Sequence, residues 1–335
     1  MLHTIPASFV RRALAILATA AITSQAFAVT NNVSTLAALQ TAINGAHAGD
    51  VIILANGSYS GSTITINRVG TSNAPILIQA QTIGGVNLTV GGFQFDSPAA
   101  WVTVQGFNIT GAAGVNVINW LTSHCRFSHN YFQCSGNNFY VQLAGDDAQF
   151  DYNELRNKTT TGQMIRIDGN VINNALTNNP IAQRVWIHHN YFHDFVGTGA
   201  NGGETIRYGL GVYAASSGLG LVEYNLFDKC NGDSAEMISS KVANNTYRFN
   251  TILNTLNNSF KIRESTGSLV YGNYFSNSLG LVVWSYYHKI YANYFVNCTG
   301  GIQIGPGDTT TLDYGNASHV CRRYPRHSGK YYRYY

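Results

Sequence analysis

Seven times along this chain an asparagine stands in the same setting, with apolar or aromatic residues before it and two bulky residues after it. The copies are Phe127-Ser-His-Asn130-Tyr-Phe132, Phe150-Asp-Tyr-Asn153-Glu-Leu155, Ile187-His-His-Asn190-Tyr-Phe192 and Val222-Glu-Tyr-Asn225-Leu-Phe227, followed by Tyr247-Arg-Phe-Asn250-Thr-Ile252, Val270-Tyr-Gly-Asn273-Tyr-Phe275 and Ile290-Tyr-Ala-Asn293-Tyr-Phe295. Successive asparagines lie 23, 37, 35, 25, 23 and 20 residues apart. A spacing in the low twenties, lengthened where loops are inserted, predicts a parallel β-helix with one coil per repeat. Each Asn is expected at a tight bend that tolerates left-handed backbone. Its side chain would bond along the stack, while the flanking Phe, Tyr, Ile and Val fill the interior. Composition agrees: 34 Gly and only 6 Pro, with abundant Asn, Thr and Ser, serve short strands and turns better than long helices. Propeller blades would run longer and more evenly.

A solenoid needs its open ends closed. Val33–Gly49 carries Leu36, Leu39 and Ile43 at helical spacing, which predicts a short amphipathic helix. Gly49-Asp50 then turns into a Val51–Leu54 strand, and Asn56-Gly57 turns again. The fold expected is therefore all-β, a single-domain parallel β-helix over residues 29–318 with a short N-terminal capping helix. Residues 1–28 read as a secretory signal: Arg11 and Arg12, an apolar run over 13–22, and Ala26-Phe27-Ala28 as the cleavage site. Secretion or a periplasmic location follows, and no later segment is long enough to span a bilayer. Residues 319–335 form a basic, aromatic tail unlike any coil.

The formal net charge of +4 misleads. Leader and tail together hold seven basic residues and no acid, so the part between them holds 13 basic against 16 acidic residues. A polyanion would have to be held by local cations, and nucleic-acid binding is disfavoured. Five cysteines, Cys125, Cys134, Cys230, Cys298 and Cys321, show no metal-ligand spacing. Cys125 and Cys134 are candidates for a disulfide in an oxidising compartment. Cys230 and Cys298 read as buried single thiols.

Only 11% of residues are charged, so Glu236, Lys241 and Arg263 within one stretch require explanation. The repeat is also a ruler. With a 35-residue coil from Asn190 to Asn225, Asn201 should stack on Glu236, and Arg207 should fall beside Lys241. Lys241 and Arg263 are 22 residues apart, about one coil. Five residues separate Glu236 from Lys241, which would put them on opposite faces of a straight strand, so a bend or bulge must intervene. Such a set suits elimination on a uronic acid polymer. The sugar carboxylate must be neutralised, a base must take the C5 proton, and the leaving oxygen on C4 must meet a donor or positive charge. Lys241 would be the base, Arg263 the acid, and Asn201 with Glu236 the ligands of a cation.

These residues resemble a family. Asn201-Gly-Gly-Glu-Thr-Ile-Arg207-Tyr-Gly209, Glu236-Met-Ile-Ser-Ser-Lys241, Asn245-Thr-Tyr-Arg-Phe-Asn250-Thr251 and Ile262-Arg263 are similar to motifs of the alginate lyase and chondroitinase B family of polysaccharide lyases. The resemblance extends over most of the chain, with Asn157-Lys158 before Arg166 and Trp284…His288 near the end. It implies a right-handed parallel β-helix and β-elimination of alginate, or alternatively of a dermatan-type glycosaminoglycan. By position it makes Lys241 and Arg263 catalytic. Lys158, Arg166, Arg207, Tyr208 and His288 become substrate-binding residues, and Asn201 and Glu236 ligands of Ca2+. Three positions depart from the pattern. Ser234 stands where a second acidic ligand is usual, Glu264 stands where His often follows the acid, and the coils end early. Those departures keep a catalytically weakened carbohydrate-binding β-helix in view. Glu204 is placed to orient Arg207 or Arg166. His188, His189 and His193 read as structural.

Overall fold

The computed structural model describes residues 28–169, 181–214 and 216–305. The expected signal sequence up to Phe27, the tail from 319 and Cys321 lie outside them. Three parallel sheets of eleven, ten and ten strands run the length of the molecule, and each coil contributes one strand to each sheet. This is the expected parallel β-helix. The first sheet carries the strand that precedes each repeat Asn, such as Trp186–His188, and the second carries the strand that follows it, such as Tyr191–Phe195. The third sheet holds the strands Ile165–Ile167, Ile206–Tyr208, Glu236–Ser240, Ser259–Ile262 and Leu281–Val283 in successive neighbourhood.

The asparagine ladder is unbroken. Asn130, Asn153, Asn190, Asn225, Asn250 and Asn273 each donate a side-chain N–H to the next asparagine's Oδ1, at 2.9–3.1 Å. The same oxygen accepts the preceding asparagine's backbone N–H, as from Asn190 to Asn225 at 3.0 Å. Each Oδ1 thus satisfies two buried donors that water cannot reach. One detail differs from expectation. The left-handed residue is the one before the Asn: His129, Tyr152, His189, Tyr224, Phe249, Gly272 and Ala292 have φ between 51° and 66°. The Asn itself is not left-handed and spends its side chain on the ladder. The bend residues form an outer stack of their own, with His189 5.2 Å from Tyr224 and 4.9 Å from Tyr152. Inside, rings stack coil on coil, as Phe192 on Phe227 at 4.8 Å.

The cap is present as the helix Leu36–Gly45, which buries Leu39 and Ile43 over the first coil; the Thr35 hydroxyl accepts from the Ala38 N–H at its start. The strand Thr30–Val33 precedes it and pairs with Val51–Leu54. No disulfide joins Cys125 to Cys134. Both thiols are free and buried in the wall, where desolvation pushes each up to about 12. Cys230 is buried and Cys298 partly so, as single thiols. Among the described residues no helix is long and apolar enough to cross a membrane.

Candidate active site

The outer face of the third sheet gathers the charged residues. Alternation along each strand sends every second side chain outward, and register stacks those side chains into rows. One row reads Gln142, Arg166, Arg207, Ser239, Lys261 and Val282. Two residues further along each strand a second row begins. There Lys241 N–H bonds the Tyr208 carbonyl, Arg263 N–H bonds that of Ser240, and Trp284 N–H bonds that of Ile262. Asp168, Gly209, Lys241, Arg263 and Trp284 are therefore consecutive in that row. Lys241 and Arg263 are next-strand neighbours, ~4.8 Å apart at the backbone.

The expected bulge is present. Glu236 pairs with Ser259 but Ile238 pairs with Phe260, so Met237 is the extra residue. It resets the alternation, letting Glu236, Ser239 and Lys241 all face outward on one strand. Glu236 Oε1 then takes Arg263 Nη1 at 2.8 Å and Lys261 Nζ at 3.1 Å. Burial opposes ionisation of this carboxyl. The Ser239 hydroxyl, Lys261 and Arg263 outweigh it and hold the group below the ordinary carboxylate range. Arg263 Nη2 also meets Glu264 at 3.1 Å, and both Arg263 and Lys261 lie over the Trp284 ring, 5.3 and 5.1 Å from its centroid. Lys241, half-buried at the centre, has no hydrogen-bond or ion-pair partner for its ammonium among the described residues.

Upstream, Asp168 holds two guanidiniums. Arg207 Nη2 lies 3.2 Å from both carboxylate oxygens and Arg166 Nε 3.1 Å from one. Arg166 also donates to Gln142 Oε1 at 2.7 Å and lies over the Phe139 ring, 3.9 Å from its centroid. Burial pulls the Arg166 guanidinium down from its ordinary value, while Asp168 supports its charge. Glu204, expected to orient these arginines, is instead buried and accepts from Gln163 Nε2 at 2.8 Å.

Several placements correct the sequence reading. Ile206 faces Ile238, an offset of 32 residues rather than 35, because the loop before Ile206 is longer than the one before Glu236. Asn201 therefore lies in an exposed turn and is not in register with Glu236, and Arg207 faces Ser239. Lys158 points inward at 1% exposure; it donates to the Asn138 carbonyl and Thr160 Oγ1, 2.9 and 3.1 Å away, and desolvation lowers it to about 8. It does not line a groove. Tyr208 alternates inward between two outward residues, is fully buried, and burial drives its phenol well above the ordinary value. It cannot touch a bound polymer. His288 is locked into a turn, accepting from Ser268 N–H at Nδ1 with Nε2 at 3.0 Å from the Trp284 carbonyl. Lys261 and Asp168 were not selected from sequence, and Trp284 was named only for its place in the resemblance, although the 22-residue offset that linked Lys241 to Arg263 also links Ser239 to Lys261.

The residues present do not fit a calcium ion. Glu236 faces two cations within 3.1 Å. Asp233, the nearest acid in sequence, is consumed by the turn: Oδ2 accepts Gly202 and Gly203 N–H, and Oδ1 accepts Ala235 and Glu236 N–H. Among the described residues no three His, Cys, Asp or Glu side chains converge on a common point. A hard cation needs six or more oxygens, which this set cannot offer.

The fold is a parallel β-helix with a row of cations along one face. Comparison makes the class specific. The chondroitinase B family profile matches residues 33–306, and the chain belongs to that family. Among solved structures it is similar to the PL6 family alginate lyase AlyGC, in a mutant form, with 27% identity and a TM-score of 0.71 over 85% of this chain. That match covers 41% of the AlyGC chain, so the protein spans less than half the length of this relative. A mannuronic acid specific family 6 lyase from human gut microbiota shares the fold at 19% identity, with a TM-score of 0.74 over 86% of this chain and 70% of that one. A PL6 alginate lyase complexed with trisaccharide also shares it, at 19% identity and a TM-score of 0.65 over 82% and 60% of the two chains. No curated protein matches the sequence.

Proposed function

We propose that this protein is a polysaccharide lyase that cleaves a uronate polymer by β-elimination, alginate first among the candidates. The observation that carries the reading is the adjacency of Lys241 and Arg263 in one outward row. Lys241, as the neutral amine, takes the C5 proton. The electrons of that bond form the C4=C5 double bond, and the C4–O4 bond breaks. Arg263, fixed by Glu236, Glu264 and Trp284, meets O4 with a hydrogen bond and positive charge as the acid partner. Neutralising the sugar carboxylate, which makes the C5 proton removable, falls to Lys261. Its ammonium spends one contact on Glu236 and keeps donors to spare. No step requires a metal ion.

Alginate is favoured by the likeness to AlyGC, an alginate lyase. The family name keeps a dermatan-type glycosaminoglycan as the second reading. The leader-like first 28 residues support an exported enzyme. The test is to incubate purified protein with alginate and with dermatan sulfate and follow ultraviolet absorbance of unsaturated ends. Absence of signal on both substrates overturns the lyase reading in favour of a binding protein. Signal that persists in Lys241→Ala overturns the assignment of the base.

A further inference from the structure

A second concave site lies away from the third sheet, at the edge where the first and second sheets meet. There the bend residues His129, Tyr152 and His189 stack ring on ring, 4.8 and 4.9 Å apart. Beside them runs the first outward row of the second sheet, which reads Tyr131, Glu154, Tyr191, Leu226 and Thr251. A cleft of about 270 Å³ lies between the bend stack and the first three of these residues. It spans two strand steps, ~9.6 Å, close to the length of two linked sugars. The bend stack itself continues to Tyr224 and Phe249. The cleft does not, because beyond Tyr191 the neighbouring row offers only Leu226 and Thr251. A stack that served the wall alone would need no change in the row beside it.

The groups around this cleft are arranged for hydroxyls. The phenols of Tyr131, Tyr152 and Tyr191 have no hydrogen-bond partner among the described residues. Two relays in the wall set the character of the imidazoles. Gln149 Nε2 donates to His188 Nε2 at 2.8 Å, so the His188 proton sits on Nδ1 and goes to His189 Nδ1 at 2.9 Å. His189 then keeps its own proton on Nε2, a donor. Burial lowers His188 from its ordinary value, which favours this neutral form. In the other relay the Ser128 hydroxyl donates to Asp151 at 3.2 Å, so His129 Nδ1 must donate in its 2.8 Å bond to that hydroxyl. His129 is left with a bare Nε2, an acceptor. Glu154 Oε1 takes Arg156 at 2.7 Å and His193 at 3.2 Å, while Oε2 takes no partner among the described residues. Arg156 offsets the charge of that carboxylate, so the cleft has no spare cation to hold a polyuronate.

We infer that this cleft is a binding site for an uncharged saccharide, separate from the groove on the third sheet. Aromatic walls with a few fixed donors and acceptors are what a pyranose requires. Its C–H faces meet the tyrosines, and its hydroxyls meet Glu154 Oε2, His129 Nε2 and His189 Nε2. A uronate would bring its carboxylate against Glu154 and be repelled. The site anchors the protein on a neutral glycan while the third sheet faces an acidic one. Where the two glycans occur together, such an anchor raises the effective concentration of the acidic chain. Binding here needs no catalysis, so it stands or falls apart from the lyase reading.

The experiment follows the imidazole NMR signals of the full chain, carrying Lys241→Ala so that no uronate is cut. The probes are cellotetraose, mannotetraose and tetramannuronate. At least one neutral probe should bind with a Kd of about 1 mM or tighter. It should shift the two signals that disappear in His129→Ala and His189→Ala, and tetramannuronate should shift neither. Saturating tetramannuronate should leave the neutral probe bound, because the two occupy different faces. Tyr191→Ala should weaken binding about 10-fold by removing a wall and a hydroxyl, and Tyr191→Phe roughly 3-fold by removing the hydroxyl alone. Melting temperature separates the loss from misfolding, and Tyr191→Phe decides if the alanine variant melts early. Glu154→Gln leaves Arg156 unopposed, so tetramannuronate should then move the same two signals. Failure of both neutral probes to bind overturns the site, as does binding that both Tyr191 variants leave unchanged. Displacement by tetramannuronate would also overturn it, since the neutral sugar would then lie in the groove of the third sheet.

Discussion

Two stacks run along this molecule, and they obey opposite rules. At the bend between the first and second sheets, asparagine follows asparagine through seven coils, each satisfied by the next. On the outer face of the third sheet the cations change along the rows, from Arg166 and Arg207 to Lys241 and then to Lys261 with Arg263, and the partners of the paired ones are a bulged glutamate, a clamping aspartate and a tryptophan face. Identical residues can repeat because every coil asks the same of them, namely to satisfy buried backbone donors. A reaction asks for different groups at different points, so the repeat must break where chemistry occurs. Length follows the same rule. Coils of 37 and 35 residues carry Arg166 and Arg207, while Lys241 and Arg263 stand in coils of 25 and 23, so the inserted loops lie to one side of the reaction centre.

The sharpest way to break this comparison is Lys241→Ala. Lys241 holds no partner, so its removal should leave the melting temperature within about 2 °C of wild type, as for an ordinary surface change. Activity should fall by roughly 10³-fold, within the range of general base catalysis. A variant that loses stability in proportion to activity would place Lys241 in the scaffold. The reverse is expected for Asn225→Ala. Its Oδ1 accepts two donors from Asn190, and its own amide serves Ile187 and Asn250. Emptying that position should cost about 3 kcal/mol and lower melting by roughly 5–10 °C. Activity per folded molecule, measured well below melting, should survive. Equal losses of both would show that the ladder and the groove are one cooperative unit.

How far each stack was legible in sequence follows from the same contrast. The seven Asn motifs announced the coils, the interior aromatics and the ladder, because a uniform demand leaves a uniform trace. In the groove Lys241, Arg263 and Glu236 could be placed beforehand through the 22-residue step and the alternation argument that required a bend or bulge, and Arg166 and Arg207 through the family resemblance. Asn201 was misplaced because a ruler taken from one sheet does not carry across a loop of different length into another. Tyr208 and Lys158 were misread for a different reason. A motif shows which residues recur, whereas facing depends on the alternation of one particular strand. Lys261 went unnoticed because its role is defined by a neighbour one coil away, which no local pattern displays.

Lys158 offers a smaller and more informative effect, because it is a charged residue on the wrong side of the wall. Its folded value of about 8 lies below the ordinary 10.5. Between those limits the unfolded chain holds more protons than the folded one, so wild-type stability should rise with pH across pH 8–10.5. Below pH 8 the whole cost of burying the ammonium is present, about 3 kcal/mol by linkage. Hydrogen bonds to Asn138 and Thr160 offset part of it. Lys158→Met should therefore be more stable than wild type by about 1–2 kcal/mol at pH 7. That margin should shrink as pH climbs to 10, read as the difference between two urea melts. A margin independent of pH would mean that Lys158 keeps its proton in the folded state across that range, its value not lowered by burial.

The smallest effect is predicted for calcium. If Lys261 supplies the charge that faces the sugar carboxylate, chelator should change the initial rate by less than a factor of about 2, and millimolar calcium should leave melting unmoved, since a ligand that binds neither state shifts nothing. Lys261→Met removes the ammonium but keeps an apolar stem over Trp284, so the loss it causes reports charge rather than packing. It should lower kcat by roughly 10²-fold without restoring sensitivity to calcium, because Asp233 remains tied to four backbone N–H groups and Ser234 offers no carboxylate. If calcium rescued Lys261→Met, the groove would have kept a latent cation site under the lysine. The contrast between a repeating scaffold and a groove of dedicated parts would then have to include a part that two different cations can fill.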